Sequence, residues 1–257
     1  MILSQSLVKD LEREEGCPYK FHQQWIEKNP LLKIKSEDMD KGSYFEKLAI
    51  GSGAIKGEEV QDLPRLASGA KSVDQKRIEL QADRCYRMLF NASDPDYLGF
   101  RVLNTQLRLE KNGRSGVLDI VAHYKDNSLW VIDLKLTKDL SSDRTKYGWG
   151  NDWSEIDLLQ LVHYQDLYFD YFGERPIMGL LVFDYSPQMR VEHAKINISN
   201  RRHEDKEERF KRAEEVINLY EQKGWIKYPS LNECRTCPLQ CDQRKETSDI
   251  VKKTIQY

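Results

Sequence analysis

The sequence predicts an α/β domain in which a central sheet of mixed direction is flanked by helices. Three short β-rich runs stand in a row at 101–110, 116–124 and 129–137, parted by the turn residues Lys111-Asn112-Gly113-Arg114 and Lys125-Asp126-Asn127. Two more strands, 177–185 and 191–198, follow only after an amphipathic helix at 154–172. Helices precede and follow this block, so the order is helices, three strands, helix, two strands, helix, which suits a sheet covered by helices.

The elements are justified in turn. Residues 4–30 read as a helix with aromatic anchors, interrupted at Cys17-Pro18. Tyr44, Phe45, Leu48 and Ala49 give 41–49 a helical apolar face, and Gly51, Gly53 and Gly57 then mark a turn or loop. Ile78, Ala82, Cys85 and Leu89 recur at helical period within 72–91, and Asn91–Asp96 closes that helix. The stretch 138–153 is polar, contains Gly148 and Gly150, and reads as a loop. Ser154 suits an N-cap, with Asp157 three residues on as a variant capping box. A long charged helix covers 202–223 and ends near Gly224, ahead of a cysteine-rich tail. No internal repeat or low-complexity segment is visible.

Composition narrows the function. The 257 residues are 32% charged, and no apolar run approaches the roughly 20 residues of a membrane helix. The N-terminus lacks a basic stretch followed by an apolar one, so the expected location is cytoplasmic, with no membrane partner. A formal net charge of −2 gives no global sign of nucleic-acid binding; such contact would rest on a local basic surface. Five cysteines, an odd number in a cytoplasmic setting, argue against a disulfide framework and for a metal site or cluster.

The chemistry concentrates on the second and third β runs. Side chains alternate along a strand, so Trp130, Ile132, Leu134 and Leu136 share one apolar face while Val131, Asp133, Lys135 and Thr137 share the other. Asp119, on the preceding hairpin strand, is placed to join them. Two carboxylates and a lysine suit phosphodiester hydrolysis. Divalent metals on carboxylates generate hydroxide near neutral pH, hard oxygens favour Mg²⁺ or Mn²⁺, and the ammonium orients water and offsets developing charge. On spacing alone, Asp133 and Lys135 read equally well as the solvated face of an edge strand.

With their context, Asp119 and Asp133-Leu134-Lys135 resemble the core of the PD-(D/E)XK nucleases, with Leu118 where the family's name has proline. Gln160-Leu161-Val162-His163-Tyr164 resembles the Q-x-x-x-Y motif of the RecB-type branch; Gln160 and Tyr164 lie one turn apart on one helical face. Gly42-Ser43-Tyr44-Phe45-Glu46 is similar to that branch's earlier helical motif, with glutamate where histidine is usual. Cys17, in Cys-Pro-Tyr-Lys-Phe, together with Cys234, Cys237 and Cys241, resembles the iron–sulfur RecB-type nucleases, the AddB-like proteins and four-cysteine CRISPR-adaptation nucleases, although the C-x₂-C-x₃-C spacing is tighter than theirs.

The resemblance implies a PD-(D/E)XK fold forming a single nuclease domain over 1–257, with a catalytic core at 42–200 and a cysteine-stapled lobe from 1–30 and 202–257. It implies a metal held by Glu46, Asp119, Asp133 and the Leu134 carbonyl, and a Lys135 that positions water. Gln160 and Tyr164 would contact the DNA backbone or support that lysine. It implies a [4Fe–4S] cluster on the four cysteines, with a structural Zn²⁺ as the alternative. The implied activity is deoxyribonuclease, favouring an exonuclease on single strands or DNA ends, in recombination, repair or replication beside helicase or recombination proteins. The alternatives are a structure-specific endonuclease and a non-catalytic nucleic-acid-binding protein with a structural metal. Cys85 reads as a core residue, and His123 and His163 as packed or surface histidines.

Overall fold

The computed structural model describes residues 2–12, 16–32, 37–51, 62–140, 158–225, 227, 234 and 237–239. The chain forms two compact units, one from Met1–Lys35 with Glu204–Tyr257 and the other from Ser36–His203.

The larger unit contains the sheet, in the order β1-β2-β3-β4-β5. β1 (Arg101–Lys111), β2 (Arg114–His123) and β3 (Leu129–Thr137) form an antiparallel meander. The β1–β2 turn has Asn112 at φ 52° and Gly113 at φ 71°. Two successive left-handed residues match the right-handed twist of a hairpin, and Asn-Gly is the pair that adopts them most easily. β4 (Ile177–Asp184) runs parallel to β3, and β5 (Val191–Ile196) pairs antiparallel with β4. A parallel neighbour requires a crossover, supplied by α5 (Leu159–Phe172), which ends on Gly173 at φ 79°. The sheet is therefore mixed, as expected. Residues 141–157, including Ser154 and Asp157 of the expected cap, lie outside the described residues.

Helices cover both faces of the sheet. α3 (Glu37–Ile50) and α4 (Val73–Phe90) bury Tyr44, Phe45, Ala49, Ile78, Ala82, Cys85 and Leu89 against Ile120, Trp130, Ile132, Leu134 and Phe183. Ser72 caps α4, its hydroxyl accepting from the Gln75 N–H at 3.0 Å. On the other face α5 packs Leu161, Tyr164, Leu167 and Tyr168 over Leu118, Val121, Val131 and Val182. Cys85 is fully buried, and burial pushes its thiol pKa upward, as a core cysteine requires.

In the smaller unit the expected N-terminal helix is broken. α1 (Gln5–Leu11) is capped by Ser4, α2 (Pro18–Phe21) starts with its proline in the first turn, and a π-helical stretch (His22–Ile26) continues it. Pro18 lacks the N–H that would carry one helix through this point. α6 (Asn200–Lys223), which belongs to this unit from Glu204 onward, sends Arg209 to Glu12 as a two-pronged pair at 2.9 and 2.6 Å. Trp225 stacks between Phe21 and Tyr220 at 5.8 and 5.2 Å. No helix among the described residues is long and apolar enough to cross a membrane.

Candidate active site

β3 supplies the centre. Its strict alternation sends Trp130, Ile132 and Leu134 into the core beneath α3 and α4, and turns Asp133 and Lys135 toward the α5 side with Val131. Asp133 is 1% exposed, and Lys135 Nζ lies 2.5 Å from its Oδ2. Gln160, in the first turn of α5, donates from Nε2 to Asp133 Oδ1 at 3.0 Å, so both oxygens of Asp133 are held. The same nitrogen donates to the Tyr164 hydroxyl at 3.0 Å. The expected motif pair therefore reaches the acid that is the lysine's own partner.

Asp119 stands where the ladder stops. Paired residues of β2 and β3 run up to Ile120–Ile132 and end there. Beyond that point the Asp119 carboxylate occupies the gap, and its Oδ2 accepts the Leu134 N–H at 2.8 Å. In a strand the N–H and C=O of one residue point to the same side, so the Leu134 carbonyl faces this gap as well. Asp119 Oδ1 accepts from Gln106 Nε2, on β1, at 3.3 Å. Glu46 enters from α3 and interacts electrostatically with Lys135 and Asp133.

The electrostatics are those of too many buried acids. Burial, then Asp133 and Glu46, pushes the Asp119 carboxyl well above its usual range. Burial, with Asp133 and against the pull of Lys135, pushes Glu46 up to about 7. Burial opposes the charge on Lys135, but Asp133, Asp119 and Glu46 together hold its pKa above the ordinary value, so it stays protonated. Burial also raises the Tyr164 phenol, with Asp133 and Asp119 adding to the effect.

Two supporting residues escaped the sequence reading. A side chain at Gly116 would place its Cβ 2.9 Å from the Tyr164 ring, so only glycine lets α5 seat Tyr164 over β2. A glycine inside a strand was the available signal for that close approach. Gln106 carried no signal. His163 donates from Nε2 to the Ser115 carbonyl at 2.9 Å and tethers α5 to β2; His123 meets Arg101 at the far end of the strand.

The donor set fits a hard divalent cation. It is all oxygen, it sets three carboxyl groups against the one ammonium of Lys135, and Gln106 Oε1 is a buried carbonyl oxygen with no partner. Among the described residues no three His, Cys, Asp or Glu side chains already converge on a single ion position. In the carboxylate group Lys135 and Gln160 occupy the two oxygens of Asp133. Cys17, Cys234 and Cys237 are free thiols of the smaller unit, and Cys241 lies outside the described residues.

With this geometry in place, comparison with known proteins identifies the family. The model of the PD-(D/E)XK nuclease superfamily matches residues 3–241. The chain belongs to that superfamily. Its members are hydrolases that act on nucleic acids, typically with divalent ions such as Mg²⁺ or Mn²⁺. Among solved structures, a putative exonuclease from Eubacterium rectale matches with a TM-score of 0.61 at 15% identity, covering 97% of this chain and 92% of that one. A second, SSO0001, matches with a TM-score of 0.34 at 14% identity, covering 85% and 93%. No curated protein matches. Neither the family match nor these structures bear on the iron–sulfur branch.

Proposed function

We propose that this PD-(D/E)XK chain is a Mg²⁺- or Mn²⁺-dependent deoxyribonuclease that degrades DNA from single strands or free ends. One observation carries the proposal: Asp119, Asp133 and Glu46 gather around one protonated lysine, with Asp119 and Asp133 buried, at the point where β2 and β3 part, so that one ammonium faces three carboxyl groups. Glu46, Asp119, Asp133 and the Leu134 carbonyl would hold the ion. When bound, it supplies Lewis acidity and a nucleophile near neutral pH.

The remaining steps belong to the protein's own side chains. Lys135 keeps its proton, orients the attacking water and offsets charge developing on the phosphate. Gln160 fixes the rotation of Asp133, and Tyr164 holds Gln160. Leu134 N–H and Gln106 fix Asp119 from either side. The family resemblance favours an exonuclease, and the structurally similar protein from Eubacterium rectale is described as a putative exonuclease. It also favours a role beside helicase or recombination proteins.

The test uses 5′- and 3′-labelled linear DNA, single- and double-stranded, next to circular single strands, with Mn²⁺, Mg²⁺ or EDTA. Linear strands should be degraded only with metal, and circles should survive. Cutting of circles would make the chain an endonuclease, and cutting in EDTA would end the metal mechanism.

The proposal extends to Cys17, Cys234, Cys237 and Cys241 as the ligands of one cofactor, a [4Fe–4S] cluster or a structural Zn²⁺. Its support is the thiol pattern, together with the membership of both chain ends in one unit. Anaerobically purified protein should be brown with about four irons per chain. One zinc per colourless chain would select the zinc site, and neither metal would remove the cofactor.

A further inference from the structure

Gln106 lies on β1 between the paired Thr105–Ile120 and Leu107–Leu118, and so directly across from Asp119. Its backbone is left-handed, at φ 51°, in the middle of β1. A non-glycine residue keeps such a conformation only where its surroundings determine it strongly, and such residues concentrate at functional sites. The strand carries a register shift just before, between Val102 and Asn104. Bulges of this kind re-aim side chains.

The side chain is divided between two tasks, only one of which is fulfilled. Nε2 donates to Asp119 Oδ1 at 3.3 Å. Oε1, on the same carbon, is buried and has no partner. It therefore lies within one amide width of the carboxylate nitrogen contact. Buried carbonyl oxygens are nearly always satisfied, so an orphan beside a group of acids calls for a donor or a cation.

We propose that Gln106 is a positioning residue of the metal centre: Nε2 sets the rotation of Asp119 while Oε1 accepts from the waters that a hard cation keeps. This rests on the metal-site reading given above. Mg²⁺ and Mn²⁺ bound by few carboxylates retain several waters, and those waters need acceptors. Partners of this outer kind typically govern metal affinity by about 10- to 100-fold.

The experiment is a Mn²⁺ titration by calorimetry, without DNA, on wild type, Gln106→Met, Gln106→Glu and Asp119→Ala, each paired with a melting curve in EDTA. Gln106→Met removes both amide functions at similar volume, and its Mn²⁺ dissociation constant should rise about tenfold with little change in the metal-free melting temperature. Gln106→Glu keeps oxygen acceptors but faces Asp119 with a second charge. It should bind Mn²⁺ at least as tightly as wild type while melting lower without metal. A packing role alone would not move affinity and stability in opposite directions. Should the methionine variant fail to fold, Gln106→Asn tolerates the left-handed backbone, draws the amide back by one methylene, and should show the same loss of affinity. Affinities within twofold of wild type for both Met and Glu overturn the role of Gln106 and leave the metal site standing. Wild type binding Mn²⁺ no better than Asp119→Ala overturns the metal site, and the role of Gln106 with it.

Discussion

Two places in the sheet bury aspartates, and they bury them differently. At the end of β4, Asp184 is 0% exposed and well supplied with donors. Its carboxylate accepts from the Leu140 N–H at 3.2 Å, the Ser186 hydroxyl at 2.9 Å and the Arg190 N–H at 2.9 Å, and Arg190 Nε stands 3.4 Å away as an ion-pair partner. Its backbone carbonyl is bonded as well, by Gln81 Nε2 at 2.6 Å. In the middle of the sheet, Asp119 and Asp133 share one lysine and face Glu46. The first arrangement is electrostatically complete and holds the β4–β5 turn against the segment after β3. The second is incomplete and raises the carboxyl pKa values around it. Donors surround the first acid, as a structural role requires, and other acids surround the second, as the proposed metal site requires.

The largest expected effect exploits that difference through activity. Asp119→Ala, Asp133→Ala and Lys135→Ala should each lower DNA cleavage by about 10³-fold or more, since in the proposed mechanism the two aspartates hold the metal and Lys135 offsets charge on the reacting phosphate. Steady-state rates on linear single strands measure it, and wild-type rates for all three variants would remove the site assignment.

The same substitution at the satisfied acid should damage the fold. Asp184→Ala strands the backbone N–H groups of Leu140 and Arg190, while the Arg190 guanidinium keeps Asp139, which places its cost at about 2–4 kcal/mol, read by urea denaturation. Asp119→Asn, by contrast, removes a repelling charge while keeping an acceptor for the Leu134 N–H. In EDTA it should melt at or above wild type. A lower melting temperature for Asp119→Asn than for Asp184→Ala would erase the distinction between the two sites.

How much of this was legible in the sequence follows from the same pair. The strand alternation is rigid, so Asp133 and Lys135 could be placed on one face from their numbers alone, and the tight β2–β3 connection brought Asp119 beside them. Mixed sheet order was legible because a helix-length segment separates β3 from β4. Asp184 was not distinguished, because Val182-Phe183-Asp184 presents the same apolar run ending in an acid as Val131-Ile132-Asp133. What separates them is the tight turn that folds Ser186 and Arg190 back onto Asp184, with Leu140 and Gln81 brought in from far off in sequence. Gln106 was hidden for another reason. A left-handed residue breaks the two-residue period on which strand reading depends, and nothing in Asn104-Thr105-Gln106-Leu107 announces it.

A smaller effect sharpens the contrast through pH. Glu46 is raised from 4.5 to about 7, and Asp119 is raised above its ordinary 3.8, in the metal-free protein. A carboxyl whose folded pKa exceeds its unfolded one binds more protons when folded. Its contribution is fully present below the unfolded value and is lost as pH rises through the folded value. Chelator-treated protein should therefore lose stability between pH 4.5 and about 7, followed by melting temperature. Glu46→Gln should flatten that slope, and an unchanged slope would place the charge strain elsewhere.

The smallest effect belongs to Tyr164, at the edge of the incomplete site. Its ring does the packing, seated where Gly116 leaves room, and its hydroxyl accepts one of the two N–H bonds of Gln160. Tyr164→Phe keeps the ring and removes only that acceptor. Gln160 still has Asp133 Oδ1 at 3.0 Å, so the acid stays oriented. The loss should be about 1 kcal/mol of stability and less than about tenfold in cleavage rate, since one neutral hydrogen bond at the second remove from the phosphate is at stake. A drop as large as that of Lys135→Ala would mean that the phenol itself meets the substrate. The incomplete site would then extend along α5 instead of ending at Asp133.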